Sequence, residues 1–496
     1  MAKKMRKKKI TRKQKDMFTM VAVFFAMWAM IVNPLWLEDQ YFNQTAAKGH
    51  AMLAGSIITV ILLLCVVIAQ KSVKPLIPRK NVTEISIMAF GALAVISTLL
   101  CDFKGPSFWG NQGWWVGGVQ MLLFSVLVIF LSNKLEWSRM LENTIMIIGL
   151  IVYFIDLLHG AGVDFMFLHR NMLEGQYWSY LSTFGNINWF MGYIALTLPI
   201  ILIQFLKSDN NKRNVFYCIY LFMTCIGIIF CRSDGLYVGF GLCAFFAEPF
   251  VLSKAQYIRR FLLFVAFYGI AMMITLFMPA YSHMIPIDGV CAIFAHPIVA
   301  IGMTIIGIVG YIVVKRVVKD YTASVAKTLT IVFEIGLGLV VAYFVLDLIR
   351  NFGDDWGSMR GMIWTYAVNM FKEMPFFNKL IGMGPETLFY YNQVLNERFG
   401  GIVLCNHSDV FQFLVTNGVL GLAAWLTMWV SIAVRWVKTR DVEGEEFMFL
   451  VAVMAYFGQS LVNSAECLSW PILIVVMGLY LHYYNKKNEV TEEERA

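Results

Sequence analysis

Apolar runs long enough to cross a bilayer recur from one end of this chain to the other, each bounded by a short polar stretch. A helix of about 20 apolar residues spans the hydrocarbon core of a membrane. The pattern predicts fourteen such helices, near 17–37, 50–70, 84–100, 116–131, 144–158, 185–206, 214–231, 235–252, 261–280, 290–314, 328–349, 409–434, 447–463 and 469–484. The first ends in Asn33-Pro34-Leu35-Trp36 without a small-residue cleavage site, so it is expected to be a retained span. An all-α polytopic membrane protein follows, expected in three parts: an N-terminal transmembrane bundle over 1–349, a long outer loop over 350–408, and C-terminal helices with a tail over 409–496.

Composition sharpens this picture. Of the 496 residues, 59% are hydrophobic and only 15% charged, against roughly 25% charged in a soluble chain. The mean hydropathy is +0.66. A soluble fold of this size could not hide so much apolar surface.

The net charge of +8 could point to nucleic acid, but its placement argues for membrane topology instead. Basic residues gather at 3–15 and then in every second loop: Lys71 to Lys80, Lys134 and Arg139, Lys207 to Arg213, Lys254 to Arg260, Lys315 to Lys327, Arg435 to Arg440, Lys486 and Lys487. The intervening loops carry Glu38, Asp39, Asp102, Asp164, Asp288 and Glu466. By the positive-inside rule, both termini are expected in the cytoplasm. The nine cysteines are scattered without a CxxC pair, so neither a disulfide framework nor a metal site is expected, and no cofactor is expected.

Two outer connections are long, about 159–184 and 350–408. The second holds Trp356, Trp364, Phe371, Phe389 and Tyr390, too many aromatics for a disordered segment. Met359 to Met374 is expected to form a helix at the outer interface. His407 lies just before the span expected to begin near Asp409. The positive end of a helix dipole there favours a neutral imidazole able to accept a proton. Gly418 and Gly421 would fall within roughly 40° of its face on a continuous helix. The plainer alternative is a capping histidine with glycines for packing.

Arg232, between two spans with almost no connecting loop, must sit at the membrane face. It is a candidate phosphate clamp or a partner of Asp234. Arg360 is a second candidate for phosphate. The turn Gly382-Met383-Gly384-Pro385-Glu386 offers main-chain amides and a carboxylate that could orient His407 or bind a sugar hydroxyl. Asn186 and Asn188 open a span at the same face, as sugar-binding amides or as caps. Trp109, Trp114 and Trp115 form an interfacial belt or a sugar-stacking surface.

With these residues assembled, the chain resembles the O-antigen ligase and O-antigen polymerase superfamily of bacterial envelope enzymes. The ligase signature is a histidine, then Asn, Ser or Gln, then nine residues, then Gly-x-x-Gly. Here it reads His407-Ser408, then Asp409 to Asn417, then Gly418-Val419-Leu420-Gly421. Arg360 to Trp364 with Gly382-Met383-Gly384, Arg232 between two spans, and Gly185-Asn186-Ile187-Asn188 are similar to further family segments. The resemblance covers about 180–425. Such ligases typically have twelve spans with three after the long loop; here three follow it and eleven precede it.

The resemblance implies a metal-independent, C-type glycosyltransferase in the bacterial cytoplasmic membrane. It would move a glycan from a polyprenyl-diphosphate-linked oligosaccharide to a hydroxyl on a glycan or lipid acceptor. His407 would act as base and Arg232 and Arg360 would hold the diphosphate. Asn186, Asn188, Gly382, Gly384, Glu386, Ser408, Gly418 and Gly421 would bind substrate. A flippase for lipid-linked oligosaccharides and a non-catalytic scaffold are the alternatives. Membrane lipids, and no nucleic acid, are the expected surroundings.

Overall fold

The computed structural model describes residues 17–110, 113–283, 289–316, 321–401 and 403–495. The basic run at 3–15, Asp288 and Lys319 lie outside them. The chain is an all-helical, polytopic membrane protein. Its long helices are α1 (Met17–Leu35), α2 (Gln44–Gln70), α3 (Val82–Leu100), α4 (Gly118–Lys134), α5 (Arg139–Gly160), α6 (Ile187–Lys207), α7 (Asn211–Cys231), α8 (Asp234–Val251), α9 (Ala255–Thr275), α10 (Pro297–Arg316) and α11 (Ala323–Asn351). There follow α12 (Trp356–Glu373), α13 (Asp409–Thr416), α14 (Gly418–Thr439), α15 (Glu446–Ser460) and α16 (Trp470–Arg495). Among the described residues, eleven helices are long and apolar enough to cross a membrane, and α4 and α15 are shorter apolar helices. One small hairpin pairs β1 (Tyr180–Leu181) with β2 (Gly185–Asn186), antiparallel.

Each predicted span overlaps a helix, but three runs are interrupted: 261–280 after Thr275, 290–314 at Ala295-His296, and 409–434. The last breaks at Asn417, and Gly418 takes a left-handed φ of +69°. His407, Gly418 and Gly421 therefore do not share one helical face.

Local chemistry sets several helix ends. Asn81, Ser138 and Asn210 cap α3, α5 and α7 through side-chain oxygens that accept from Glu84, Leu141 and Arg213 N–H groups. α1 ends at Asn33-Pro34, where the carbonyls of both residues accept from the buried Lys48 Nζ at 2.8 Å. No water is at hand in a membrane to satisfy such groups, so a side chain must.

α6, α15 and α16 form the centre and are buried almost all round, whereas α11 buries none of its side chains. An all-apolar helix left outside suits lipid. Pairs α9–α10, α8–α15, α4–α16, α3–α14 and α6–α15 carry the main packing.

The loops sort to two ends. At one, Arg79 pairs with Glu489 at 2.6 Å, Lys207 donates to Gly444 O and Arg260 to Leu206 O. At the other, Asn463 donates to Asn188 O, Cys467 N–H to Trp114 O and Tyr41 N–H to Leu168 O. The basic loops share the first end, as their alternation predicted.

Candidate functional site

The second end carries the candidate site. Arg232 caps α7 in the left-handed region, with φ +38°. Its guanidinium lies over the Tyr281 ring, 4.8 Å from the centroid, and donates weakly to Tyr281 O at 3.4 Å. Its Nε is buried with no hydrogen-bond partner. The expected alternative, a pair with Asp234, is not what forms. Asp234 Oδ1 accepts from Cys291 N–H at 2.8 Å instead.

Arg360 stands early in α12, just after the left-handed stretch Gly357 to Met359. It donates from Nε to Val462 O at 3.0 Å and from Nη1 to Gly357 O at 2.7 Å. Burial lowers the pKa of both arginines from its usual value. Both arginines are half-buried and face mainly neutral carbonyls, and an anion would compensate their charge.

Arg232, Arg360, Asn188, Ser233, Asp234 and Trp178 line one end of a cavity of about 2260 Å³. From there it runs between α6, α8, α9 and α11 to Leu206 and Leu252 at the basic end, with mostly apolar walls. Asn188 is held in place: its Oδ1 accepts from Ser233 Oγ at 2.8 Å and its carbonyl from Asn463. Asn186 is a cap, its Oδ1 accepting from Asn188 N–H at 2.9 Å.

His407 does not line this cavity. It is half-buried, left-handed at φ +48°, with Nδ1 3.7 Å from Cys405 Sγ. Burial, and then the charge of Arg360, lower its pKa to about 4, so the imidazole is neutral. Ser408 is fully buried. Its N–H donates to Ser464 Oγ at 3.2 Å, and its own Oγ has no partner.

The Gly382 turn corrects another expectation. Its amides are not free: Met383 and Gly384 N–H donate to Val415 O and Thr416 O, closing the end of α13. Gly382 and Gly418 meet back to back. A Cβ on Gly382 would lie 2.2 Å from Thr416 O, and one on Gly418 2.4 Å from Leu380 O. These glycines, with Gly384 at φ +101°, form the turn that breaks the helix after α13. Gly421 is buried one turn beyond.

Glu386 does not reach His407 by a hydrogen bond. Its Oε2 accepts from Trp114 N–H at 2.8 Å, and burial raises its pKa to about 8. Trp114 is thus a half-buried packed residue, set edge-on to Trp189, whereas Trp109 stays exposed.

The sequence reading missed the connection 461–469. Val462 O receives Arg360, Ser464 receives Ser408, and Asp409 bonds to both Asn463 O and Ala465 N–H. Its signal was the polar run Asn463-Ser464 and Glu466 wedged between two apolar stretches. No protein-family profile and no curated protein sequence matches the chain.

Proposed function

We propose that this protein is a membrane glycosyltransferase that moves a glycan from a polyprenyl-diphosphate carrier to an acceptor hydroxyl, as an O-antigen ligase or surface-polysaccharide polymerase does. The observation that carries the proposal is the cavity: two arginines at its mouth, Arg232 with an unpartnered Nε and Arg360 bonded only to neutral carbonyls, and an apolar channel leading away from them. That combination fits a diphosphate joined to a long hydrocarbon tail. Arg232 and Arg360 hold the diphosphate and stabilise the charge that develops as it leaves. His407, neutral and next to Arg360, takes the proton of the attacking hydroxyl. A bound anion offsets the Arg360 charge and so raises His407 basicity when the donor is present. The anomeric carbon–oxygen bond to the diphosphate breaks as the new glycosidic bond forms.

A second reading, a lipid-linked oligosaccharide flippase, draws on the cavity's full depth and on Glu248 and Glu334, acids in spanning helices that line it. The test is reconstitution of the purified protein with a polyprenyl-diphosphate oligosaccharide. Release of polyprenyl diphosphate with glycan growth supports a polymerase. Release only with a separate acceptor supports a ligase. Lipid crossing without transfer overturns the enzyme reading in favour of the flippase.

A further inference from the structure

Away from that site, three side chains converge where α5 meets the 161–186 connection. His159, Asp164 and His169 present ligand atoms that all lie within 4.8 Å of one another. His159 Nε2 is 3.5 Å from Asp164 Oδ1, and His169 Nδ1 is 3.1 Å from Asp164 Oδ2. Tetrahedral zinc, with bonds of about 2.0–2.2 Å, sets its ligand atoms about 3.4 Å apart.

The hydrogen bonds of His169 sharpen the point. Its Nε2 lies 2.6 Å from Tyr180 O, an acceptor, so Nε2 carries the proton. In the neutral ring Nδ1 is then a lone pair, and it faces a carboxylate oxygen that also has only lone pairs. Two acceptors at 3.1 Å need a cation between them, either a proton on Nδ1 or a metal ion. A carbonyl that orients the remote N–H of a histidine is the usual outer support of a metal ligand. His159 is fully buried, and its Nε2 has no partner within hydrogen-bond reach, Asp164 Oδ1 standing at 3.5 Å; Ser182 N–H donates to its Nδ1 at 3.1 Å, so a metal needs the other ring tautomer.

We propose that His159, Asp164 and His169 bind one divalent transition-metal ion of the zinc type, with the fourth position open beside the partly exposed Asp164. The cysteine spacing gave no hint of such a site, because no cysteine takes part. Binding places the His159 proton on Nδ1. The Tyr41 oxygen, 3.2 Å away, accepts it there, since the Tyr41 hydrogen goes to Ser182 O. The Ser182 N–H gives up its own bond to Nδ1 in exchange. The ion fastens a connection that carries Trp178 and Ser179 to the cavity wall, so its role is to hold that wall.

The test uses the full-length protein in detergent, dialysed against a chelator and titrated with Zn²⁺ against a chromophoric competitor. One ion per chain is expected, with intense tetrahedral bands when Co²⁺ replaces zinc, a readout that needs no variant. His169→Gln and Asp164→Asn should weaken binding about 100-fold or more, and Tyr41→Phe roughly 10-fold. Exposed-histidine controls, His50→Gln and His296→Gln, should leave it unchanged. No stoichiometric ion in the wild type, or equal affinity in His169→Gln, overturns the site and leaves a protonated His169 paired with Asp164.

Discussion

Arg360 Nε donates to the main-chain carbonyl of Val462 at 3.0 Å, across 102 residues of sequence. This bond joins the long 352–408 connection to the short 461–469 one, and both of its residues line the cavity. The same short connection holds Asn188, Ser408 and Asp409. Arg360, Asn188 and the His407-Ser408 pair thus hang from one short connection, through the Val462 carbonyl and the Asn463 and Ser464 side chains.

Replacing Arg360 by alanine removes a donor to the proposed diphosphate and its anchor to Val462. Turnover should fall by roughly 10²–10³, the cost of one preorganised donor at developing charge. Arg232→Lys keeps the charge but not the planar fork, and should leave a partial activity above that of Arg232→Ala. Release of polyprenyl diphosphate measures both. Equal activities for Arg232→Lys and Arg232→Ala would show that charge at this place is irrelevant.

The pH profile tests His407. Its pKa in the folded protein is about 4, below the ordinary 6.5. A depressed histidine contributes stability that is present above pH 6.5 and lost as pH falls toward 4, because the unfolded chain binds the proton first. For activity, kcat/KM should hold down to near pH 4. If a diphosphate binds as proposed and offsets Arg360, the acid limb of kcat should lie at higher pH. His407→Gln should abolish turnover while leaving donor binding in place. Coincident acid limbs for kcat and kcat/KM would separate His407 from the diphosphate.

The spans were legible in the sequence because hydropathy and loop charge are local and repeat at every crossing. Arg232 was legible for a similar reason: no loop length was left to carry it away from the membrane face. The break at Asn417-Gly418 was not, because 409–434 is apolar enough to read as one helix and contains no proline. What ends α13 comes from elsewhere, the amides of Met383 and Gly384. Lys48 was equally hidden. A lysine in an apolar run becomes intelligible only beside the Asn33 and Pro34 carbonyls that it satisfies.

Glu386 yields a stability prediction with the opposite sign to His407. Its pKa is raised to about 8 by burial. A raised carboxyl contributes stability that is fully present below about pH 4.5 and is lost as pH rises toward 8. Glu386→Gln keeps an oxygen for Trp114 N–H and removes the titration, so its stability should no longer decline over that range. Glu386→Ala leaves the Trp114 N–H without its acceptor, at about 1–3 kcal/mol. Thermal unfolding at pH 5 and pH 8 separates the three proteins. A wild type as stable at pH 8 as at pH 5 would mean that Glu386 is charged throughout.

Gly382 and Gly418 distinguish an architectural role for these glycines from a substrate-binding one. Gly382→Ala puts a Cβ 2.2 Å from Thr416 O at a φ of +83°, and Gly418→Ala puts one 2.4 Å from Leu380 O at +69°. Both neighbours are backbone and cannot swing aside. Each residue also adopts the left-handed region that a side chain disfavours, so each change should cost about 1–3 kcal/mol in strain before any clash is counted. The expected result is a lower melting temperature and a reduced yield of monodisperse protein. In the fraction that folds, KM for the donor should stay near wild type, because Gly382 touches the end of α13 and Gly418 the Leu380–Gly382 backbone, and neither lines the cavity. A variant with normal stability and a raised KM would instead put Gly382 in contact with substrate.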